Sequence, residues 1–474
     1  MHALRERALR CFRKLYQVEF GLSFSRPLRL KGLRRKMSRI RVAVVGVGNC
    51  ASALVQGTHY YSKPEHSESH GGLLRPTIGP YSVNDIDFVV GFDVDVRKIG
   101  LPLKEAIFQK PNCCAPLSPD VRFDSSGRFD GMVFSAPQYD GVADHMHTNS
   151  IDDSERFMTN YTCGPSQPAL SGSFAPGYVT GCLLSGLGSS TLCSGACYAS
   201  GVDTNLSYTS GCTTGCYTSG YTSGFDGETI WPDHSVQTFA KKLQALGVTA
   251  LVNYLPVGSQ RATEFWASVC IQAKVSMVNC IPVFIASNVA WGQRFLEAGV
   301  AIIGDDMKSQ FGASVLSQAF QELAEQRGHK VKVHIQQNSG GNTDFLNMTD
   351  QGRLKSKKIS KENVLRDHGS KPDFLHAGPS DYIRIYQDTK VAHFHLELEG
   401  FCGAPVKLDA RLEVQDSPNS AGVVIDALRY VSVAQANGIY GALNGPSAFT
   451  QKSPPVHMPL SEAIKACDAL ASLQ

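Results

Sequence analysis

The chain has 474 residues, of which 42% are hydrophobic and 18% are charged, and its formal net charge is +3. This length allows two or three domains with ordinary hydrophobic cores, and no stretch approaches the roughly 18 uncharged apolar residues that a membrane-spanning helix requires. These figures argue against a fibrous or membrane-spanning protein.

The positive charge is concentrated at the amino terminus. Residues 1–41 contain thirteen Lys and Arg residues and two Glu residues, a balance of +11, so the rest of the chain sums to −8. Because an acidic body binds nucleic acid poorly, we expect no nucleic-acid partner. The basic leader, 1–36, is either an Arg-rich transit peptide or a translated extension ahead of a natural start at Met37, and we favour the extension because a strand pattern follows directly.

The first strand pattern, 40–46, leads into a glycine-rich turn and a helical pattern. This is the context that a dinucleotide-binding fingerprint requires, with Gly46 for the tight turn, Gly48 for close approach to the pyrophosphate and a small Ala51 for helix packing. The predicted cofactor-binding loop comprises Gly46, Val47, Gly48, Asn49, Cys50 and Ala51.

The second strand pattern, 87–95, supplies a candidate for the ribose of a dinucleotide. Asp93 lies near its end, as such a carboxylate should, although a long connection separates it from the glycine loop. Asp95 is the fallback, and the alternative is an aspartate that merely caps a helix. A carboxylate at this position favours NAD over NADP.

Residues 150–228 differ in composition from the rest of the chain. No Lys or Arg occurs between Arg156 and Lys241, and YTSG occurs three times. The segment lacks periodicity and carries too little apolar surface to offset its ordering entropy, so we predict a disordered insertion, either real or a gene-model artefact. Function should not depend on it.

The fourteen cysteines do not suggest a disulfide framework. Eight are scattered, several within apolar stretches, as is typical of reduced thiols, so we expect a cytoplasmic protein. The other six lie in the insertion, where two pairs with Cys-x3-Cys spacing lack a neighbouring His, and this disfavours zinc binding.

Strand and helix patterns alternate again after the insertion. The strand patterns are 249–256, 275–282 and 300–306, and the helical patterns are 259–272 and 286–298. With the first two strands they predict a doubly wound parallel sheet. We therefore predict an α/β fold with a Rossmann-like, NAD-binding domain over 37–310.

A second domain is expected over 311–425. Its strand patterns, 330–337, 391–400 and 406–415, alternate apolar and polar positions as antiparallel strands do. We predict an α+β domain here, and a helix at 420–435 that leads to a return to the nucleotide domain over 426–474.

The strand at 300–306 ends in an Asp-Asp turn. Its position places Asp305 and Asp306 at the ligand-binding edge of a parallel sheet. Lys308 would compensate their charge, and Ser309 would cap the next helix; the alternative is a capping turn without function.

Four lysines follow in a polar, helical stretch: Lys355, Lys357, Lys358 and Lys361. On a helix Lys357 and Lys361 share one face, where like charges repel unless an anion lies between them. A phosphate site and a solvated basic face remain equal alternatives at this point. Lys390, Asp416 and Lys452 are not distinctive by themselves.

Ten segments in this order resemble myo-inositol-1-phosphate synthases, in particular the shorter microbial branch. They run between residues 40 and 455 and are VAVVGVGNCASALVQG, GFDVD, YLPVGS, IPVFIAS, IIGDDMKSQFGA, GGNTDFLN, RLKSKKISK, GPSDY, DSPNSAG and KSPP. The resemblance implies an isomerase that converts D-glucose 6-phosphate to 1L-myo-inositol 1-phosphate. Hydride leaves C5 and later returns to it, intramolecular aldol cyclisation occurs in between, and the NAD is used and regenerated.

The resemblance also implies roles for individual residues. Lys357 would relay the C5 hydroxyl proton, Lys361 and Lys390 would bind phosphate, and Lys452 would stabilise the cyclising oxyanion. Asp306 and Asp416 would orient these lysines. The remaining implied residues are Asn342 and Asp344 in the same pocket, and Asp305 and Ser309 beside the cofactor.

The family further implies a homotetramer, with the second domain supplying subunit contacts. Its members differ in using a divalent metal, potassium or ammonium, and no His/Cys cluster in the sequence decides between them. The insertion departs from the family pattern and would weaken NAD binding if it is real. Two alternatives to a synthase are a sugar-phosphate oxidoreductase that releases NADH and a scaffold inactivated by the insertion.

Overall fold

The computed structural model describes residues 39–66, 71–143, 146, 235–350, 352–353, 372–378 and 381–473. The predictions for the leader, the insertion and the lysine segment lie outside these residues. None of the helices in the described ranges has the length and apolar character needed to cross a bilayer.

A seven-stranded parallel sheet forms the first layer, with strand order β12-β6-β5-β4-β1-β2-β3. Its strands are β1 (Ile40–Val45), β2 (Ile86–Asp93), β3 (Met132–Ser135), β4 (Ala250–Asn253), β5 (Ser276–Asn279), β6 (Ala301–Ile303) and β12 (Gly441–Ala442). The central strands are buried on both faces because helices cover both sides, which explains why they read as continuous apolar runs.

The helices associated with this layer include every helical pattern predicted for the nucleotide domain. They are α1 (Asn49–Ser62), α2 (Leu103–Ala106), α3 (Val236–Ala245), α4 (Gln260–Ala273), α5 (Val289–Ala298), α8 (Asp416–Ala436), α9 (Asn444–Thr450) and α10 (Leu460–Ala471). One hydrophobic cluster joins the sheet to α1 and α8, and a second joins it to α3 and α4. The chain therefore does return to the nucleotide layer through α8.

A second sheet has the order β11-β10-β7-β8, with β9 paired to β7. Its strands are β7 (Lys330–Gly340), β8 (Phe374–Ala377), β9 (Asp381–Tyr382), β10 (Thr389–Glu399) and β11 (Pro405–Gln415). The three long strands are antiparallel, as predicted, whereas β8 and β9 pair with β7 in parallel. Helix α6 (Ala313–Gln326) covers one face, where Phe320 meets Phe394 edge to face at 5.6 Å between ring centroids.

The long connection between β1 and β2 is anchored by the middle of α8. The Asp426 carboxylate accepts the Leu74 amide at 2.7 Å, and Arg429 donates to the carbonyls of Arg75 and Pro76. Asp426 and Arg429 also pair with each other in a fully buried position. The connection thus packs on the helix whose first residue is Asp416.

We predict that a chain starting at Met37, with 150–228 replaced by a short linker, folds to the same structure. The strands and helices that flank the insertion, β3 and α3, are already fixed by sheet pairing and by the second core cluster, and closing a surface loop carries a modest entropic cost. Thermal midpoint and mass by light scattering should match those of the full chain. Aggregation of the trimmed chain alone would show that the insertion is structural.

Candidate active site

A cleft of about 1650 Å³, counted with the part open to solvent, lies between the two sheets. The carboxyl ends of the parallel strands form one side, which is where open α/β sheets bind ligands. The other side comes from β7, α7 (Thr343–Asn347), β10 and the start of α8. The fold therefore brings together residues that are several hundred positions apart.

The glycine loop enters the cleft from β1. Gly46 has φ +84°, and a Cβ there would lie 2.7 Å from the Tyr254 carbonyl oxygen, so a side chain is excluded. A Cβ on Gly48 would meet nothing within 4 Å, which leaves the backbone open to a ligand. The loop has both properties that a dinucleotide fingerprint requires.

The other residues of the glycine loop are either buried in the core or line the cleft. Val47 and Ala51 are buried, and Ala51 belongs to the hydrophobic core. Asn49 and Cys50 line the cleft, but the Asn49 carboxamide oxygen accepts the amides of Cys113 and Cys114 at 2.7 and 3.1 Å. Asn49 therefore fixes a neighbouring loop, and burial raises the pKa of the Cys50 thiol, which keeps it protonated.

Asp93 lies at the end of β2 and lines the cleft. Its carboxylate accepts the amides of Val47, Val94 and Asp95 at 2.7, 2.7 and 2.9 Å. A carboxylate has about four acceptor positions, so one remains for a ribose hydroxyl. The fallback candidate, Asp95, is fully buried and bonded to the Arg97 guanidinium, outside the lining of this cleft.

Asp305, which we expected beside the cofactor, serves the protein instead. Its buried carboxylate accepts five hydrogen bonds, from the Asn279 amide, from three backbone amides at 285–287 and from the Ser287 hydroxyl. Burial still raises its pKa to about 6. This carboxylate thus fixes the loop between β5 and α5, and Asp305 is not among the residues that line the cleft.

Asp306 holds Lys452 in the cleft, with 2.8 Å between Oδ1 and Nζ. Backbone bonds pair the two segments as well: Lys452 donates to the Asp306 carbonyl, and Ser453 exchanges two hydrogen bonds with Asp305. The expected partner, Lys308, points elsewhere and donates to the Ala448 carbonyl at 2.8 Å. Burial lowers the pKa of Lys308 to about 8.

Ser309, which we predicted to lie beside the cofactor, lines the cleft. Our expectation that it caps the following helix was wrong, because α6 begins at Ala313 with Gly312 as its N-cap. A Cβ on Gly312 would lie 2.6 Å from the Ser309 Cβ, so this turn is tight.

Lys390 and Asp416 form the second lysine–carboxylate pair, with 3.2 Å between Nζ and Oδ1. Lys390 is the second residue of β10 and Asp416 is the first residue of α8, and both line the cleft. The Asn342 amide donates toward the Asp416 carboxylate at 3.4 Å and toward Asp388 at 3.1 Å. Asn342 is also the N-cap of α7. Asp344, in the first turn of that helix, lines the cleft as well.

Asp388 was missed by the sequence reasoning. It is 2% exposed, and its carboxylate accepts the amide and hydroxyl of Ser417 at 3.3 and 2.8 Å. Burial, and then the nearby charge of Asp416, raise its pKa to about 6. Asp388 lies one position before β10 and carried no local signal in the sequence, because its partners Asn342 and Ser417 are 46 and 29 positions away.

The predicted lysines Lys357 and Lys361 lie outside the described residues. Within the described ranges, no cluster of three or more His, Cys, Asp or Glu residues is suited to a metal ion. What the cleft does contain is a glycine loop with an acidic partner and two lysines held by carboxylates, Lys452 bonded to Asp306 just after β6 and Lys390 in β10. Such lysines can bind a phosphate or stabilise a developing oxyanion.

Comparisons with known proteins identify relatives of this chain. A family model described as myo-inositol-1-phosphate synthase matches residues 312–417. Inositol-3-phosphate synthase of Mycolicibacterium smegmatis is 35% identical over 88% of this chain and 93% of its own length. Inositol-3-phosphate synthase of Corynebacterium glutamicum is 35% identical over 89% of this chain and 95% of its own. In fold, the chain is similar to a myo-inositol-1-phosphate synthase-related protein of Thermotoga maritima, with a TM-score of 0.63, 23% identity, and 92% and 99% of the two chains covered.

Proposed function

Because the chain belongs to the myo-inositol-1-phosphate synthase family, we propose that it isomerises D-glucose 6-phosphate to 1L-myo-inositol 1-phosphate with a bound NAD. The observation that carries the proposal is that one cleft is lined by Asp93, the glycine loop, Lys390 and Lys452. A dehydrogenase needs only the glycine loop and the carboxylate of Asp93. A cyclisation without net redox also needs cations at the sugar phosphate.

The residues present fit NAD. Gly48 leaves the backbone open, Asp93 retains an acceptor position for a ribose hydroxyl, and Ser309 lies on the same side of the cleft. When bound, NAD supplies a hydride acceptor that becomes a donor later in the same turnover. The chain holds the dinucleotide and shields it from water.

The lysines perform the acid–base and charge-stabilising work. Lys390, fixed by Asp416, is suited to the substrate phosphate, and Lys452, fixed by Asp306, to the oxygen that gains charge during cyclisation. From the family motif we propose Lys357 as the proton relay for the C5 hydroxyl and Lys361 as a second phosphate ligand. Asn342 and Asp388 hold Asp416 in place, and Asp344 completes the wall of the pocket.

Steady-state turnover of D-glucose 6-phosphate without cofactor recycling tests the proposal. The expected result is inositol phosphate in amounts well above the enzyme concentration, with no build-up of NADH. Accumulating NADH would instead identify a sugar-phosphate oxidoreductase. If neither appears, the chain is an inactive scaffold.

We predict that Asp93→Ala lowers NAD affinity about tenfold to a hundredfold, because a hydrogen bond to a charged group contributes roughly 1.5–3 kcal/mol. Calorimetry with NAD measures the loss, and sugar-phosphate binding should change little. Asp130→Ala is a matched control, since Asp130 is half exposed and pairs with Lys104 away from the cleft. Equal NAD affinity in both variants would remove Asp93 from the ribose site.

We further propose a cytoplasmic homotetramer assembled through the second sheet. The support is the family resemblance together with the largely exposed edge strand β11, whose unpaired edge invites pairing. Light scattering measures the mass. Whether the reaction uses a divalent metal, potassium or ammonium is tested by treatment with a chelator and by exchange of the monovalent salt.

A further inference from the structure

Lys98 is a buried lysine that none of the assignments above uses. It is 1% exposed, yet it lines the cleft beside the glycine loop. A turn after β2, in which the Lys98 amide donates to the Asp95 carbonyl at 3.0 Å, directs the chain back toward that loop. A buried ammonium is costly unless its charge and its donors are compensated, so its place here requires an explanation.

Two of its three N–H donors are accounted for. The ammonium donates to the Val47 carbonyl at 2.8 Å and to the Asn112 side-chain oxygen at 3.0 Å. Asn112 also donates to the Val47 carbonyl, at 3.1 Å, so both residues hold the middle of the glycine loop. A neutral amide could provide an anchor of this kind, which means that anchoring alone does not explain a positive charge.

The third N–H has no acceptor within hydrogen-bond distance among the described residues. The Asp93 carboxylate is the nearest anion, and its Oδ2 lies 3.8 Å from the ammonium, which is too far for a hydrogen bond. Asp93 already accepts three backbone amides. Lys98 thus presents one donor and a positive charge at the point where the glycine loop and the ribose carboxylate meet.

We propose that Lys98 is a cofactor-binding residue, whose third N–H donates to an oxygen of the dinucleotide while its charge offsets that of Asp93. The acceptor is a ribose hydroxyl or a phosphate oxygen, both of which suit an ammonium donor. This inference rests on the proposed function only for the identity of the dinucleotide as NAD. It adds a ligand contact that the glycine fingerprint does not contain.

The test measures nucleotide binding rather than turnover. The full chain, freed of bound nucleotide, is titrated with NAD by calorimetry, as wild type, Lys98→Met and the control Lys110→Met, which changes an exposed lysine of the adjoining loop. We expect Lys98→Met to lose about tenfold to a hundredfold in NAD affinity and Lys110→Met to lose less than threefold. Lys98→Met affinity within twofold of wild type would overturn the proposal.

Asn112→Ala separates contact from anchoring, because it removes an anchor of the loop and keeps the Lys98 charge and its hydrogen bond to the Val47 carbonyl. NAD affinity within threefold of wild type supports the contact. If Asn112→Ala loses as much NAD affinity as Lys98→Met, loop anchoring explains the loss, and the proposed contact of Lys98 with the dinucleotide is wrong. If Lys98→Met does not fold, Lys98→Gln keeps a donor for the Val47 carbonyl without the charge, and the same loss is expected.

Titrations with ADP and adenosine identify the acceptor. A loss with all three ligands assigns the contact to the adenosine ribose, a loss confined to NAD and ADP assigns it to a phosphate, and a loss confined to NAD assigns it to the second ribose. Thermal midpoints without nucleotide provide a second readout, since a contact reduces the NAD-induced rise in midpoint. Wild type that binds no NAD would contradict the proposed function itself, a result distinct from equal binding by wild type and variant.

Discussion

Lys452→Met should lower kcat by about 10² to 10⁴ while NAD remains bound, because a positioned charge at a developing oxyanion contributes on this scale. The reason lies in the geometry, with Lys452 fixed to Asp306 at 2.8 Å in a loop that is itself paired by backbone bonds. Methionine preserves the length of the side chain and removes the charge. Turnover of D-glucose 6-phosphate and the nucleotide content of the purified protein are the two measurements.

Lys465→Met is the control for this variant, since Lys465 is an exposed lysine of α10. Its turnover should equal that of the wild type. Asp306→Asn should reproduce part of the loss at Lys452, because the amide cannot hold the ammonium by charge. If Lys452→Met retains more than half of the normal turnover, the lysine does not act on the reacting atoms.

Lys357→Ala should abolish cyclisation, with a loss of about 10² to 10⁴ in rate and with NAD still bound. The prediction follows from the family motif, whose two spaced lysines correspond to Lys357 and Lys361 of this sequence. The matched control is Lys358→Ala, which removes the same charge at the next position of the sequence. Comparison of the two variants separates the effect of the lysine's position on the rate from the effect of losing one positive charge.

A uniform loss in both variants would favour the alternative of a solvated basic segment that acts by its total charge. In that case the segment would not be a specific phosphate site, which was the other interpretation of its lysines. If only Lys357→Ala loses the formation of inositol phosphate, the catalytic role belongs to Lys357.

The local pattern of apolar and polar residues was sufficient to predict the central strands of the nucleotide layer. Strands buried on both faces read as apolar runs, and helices between them show 3.6-residue periodicity, so β1, β2, β4, β5 and β6 could all be placed in advance. The short β3 was not predicted. The Gly46 turn and the strand-end position of Asp93 were also readable, because each depends on backbone conformation or strand position.

Family motifs added the cleft residues that have no local signature. Lys390, Asp416 and Lys452 each occupy ordinary strand or turn positions, and their selection came from the resemblance. The structure then brought them into one cleft with the glycine loop. Local reasoning failed where a neighbour in sequence was assumed to be the partner, as with Lys308, whose ammonium binds the Ala448 carbonyl while Lys452 takes Asp306.

The sequence by itself determined the central strands of the parallel sheet, the three long antiparallel strands, the glycine loop and the membership of the family. Only the tertiary structure decided which charged groups meet, because the partners of a buried lysine depend on how distant segments cross. Lys98 reaches Val47 across 51 positions and Lys452 reaches Asp306 across 146. Periodicity and turn chemistry act over a few residues, whereas burial makes every ammonium and carboxylate find a partner wherever the fold supplies one.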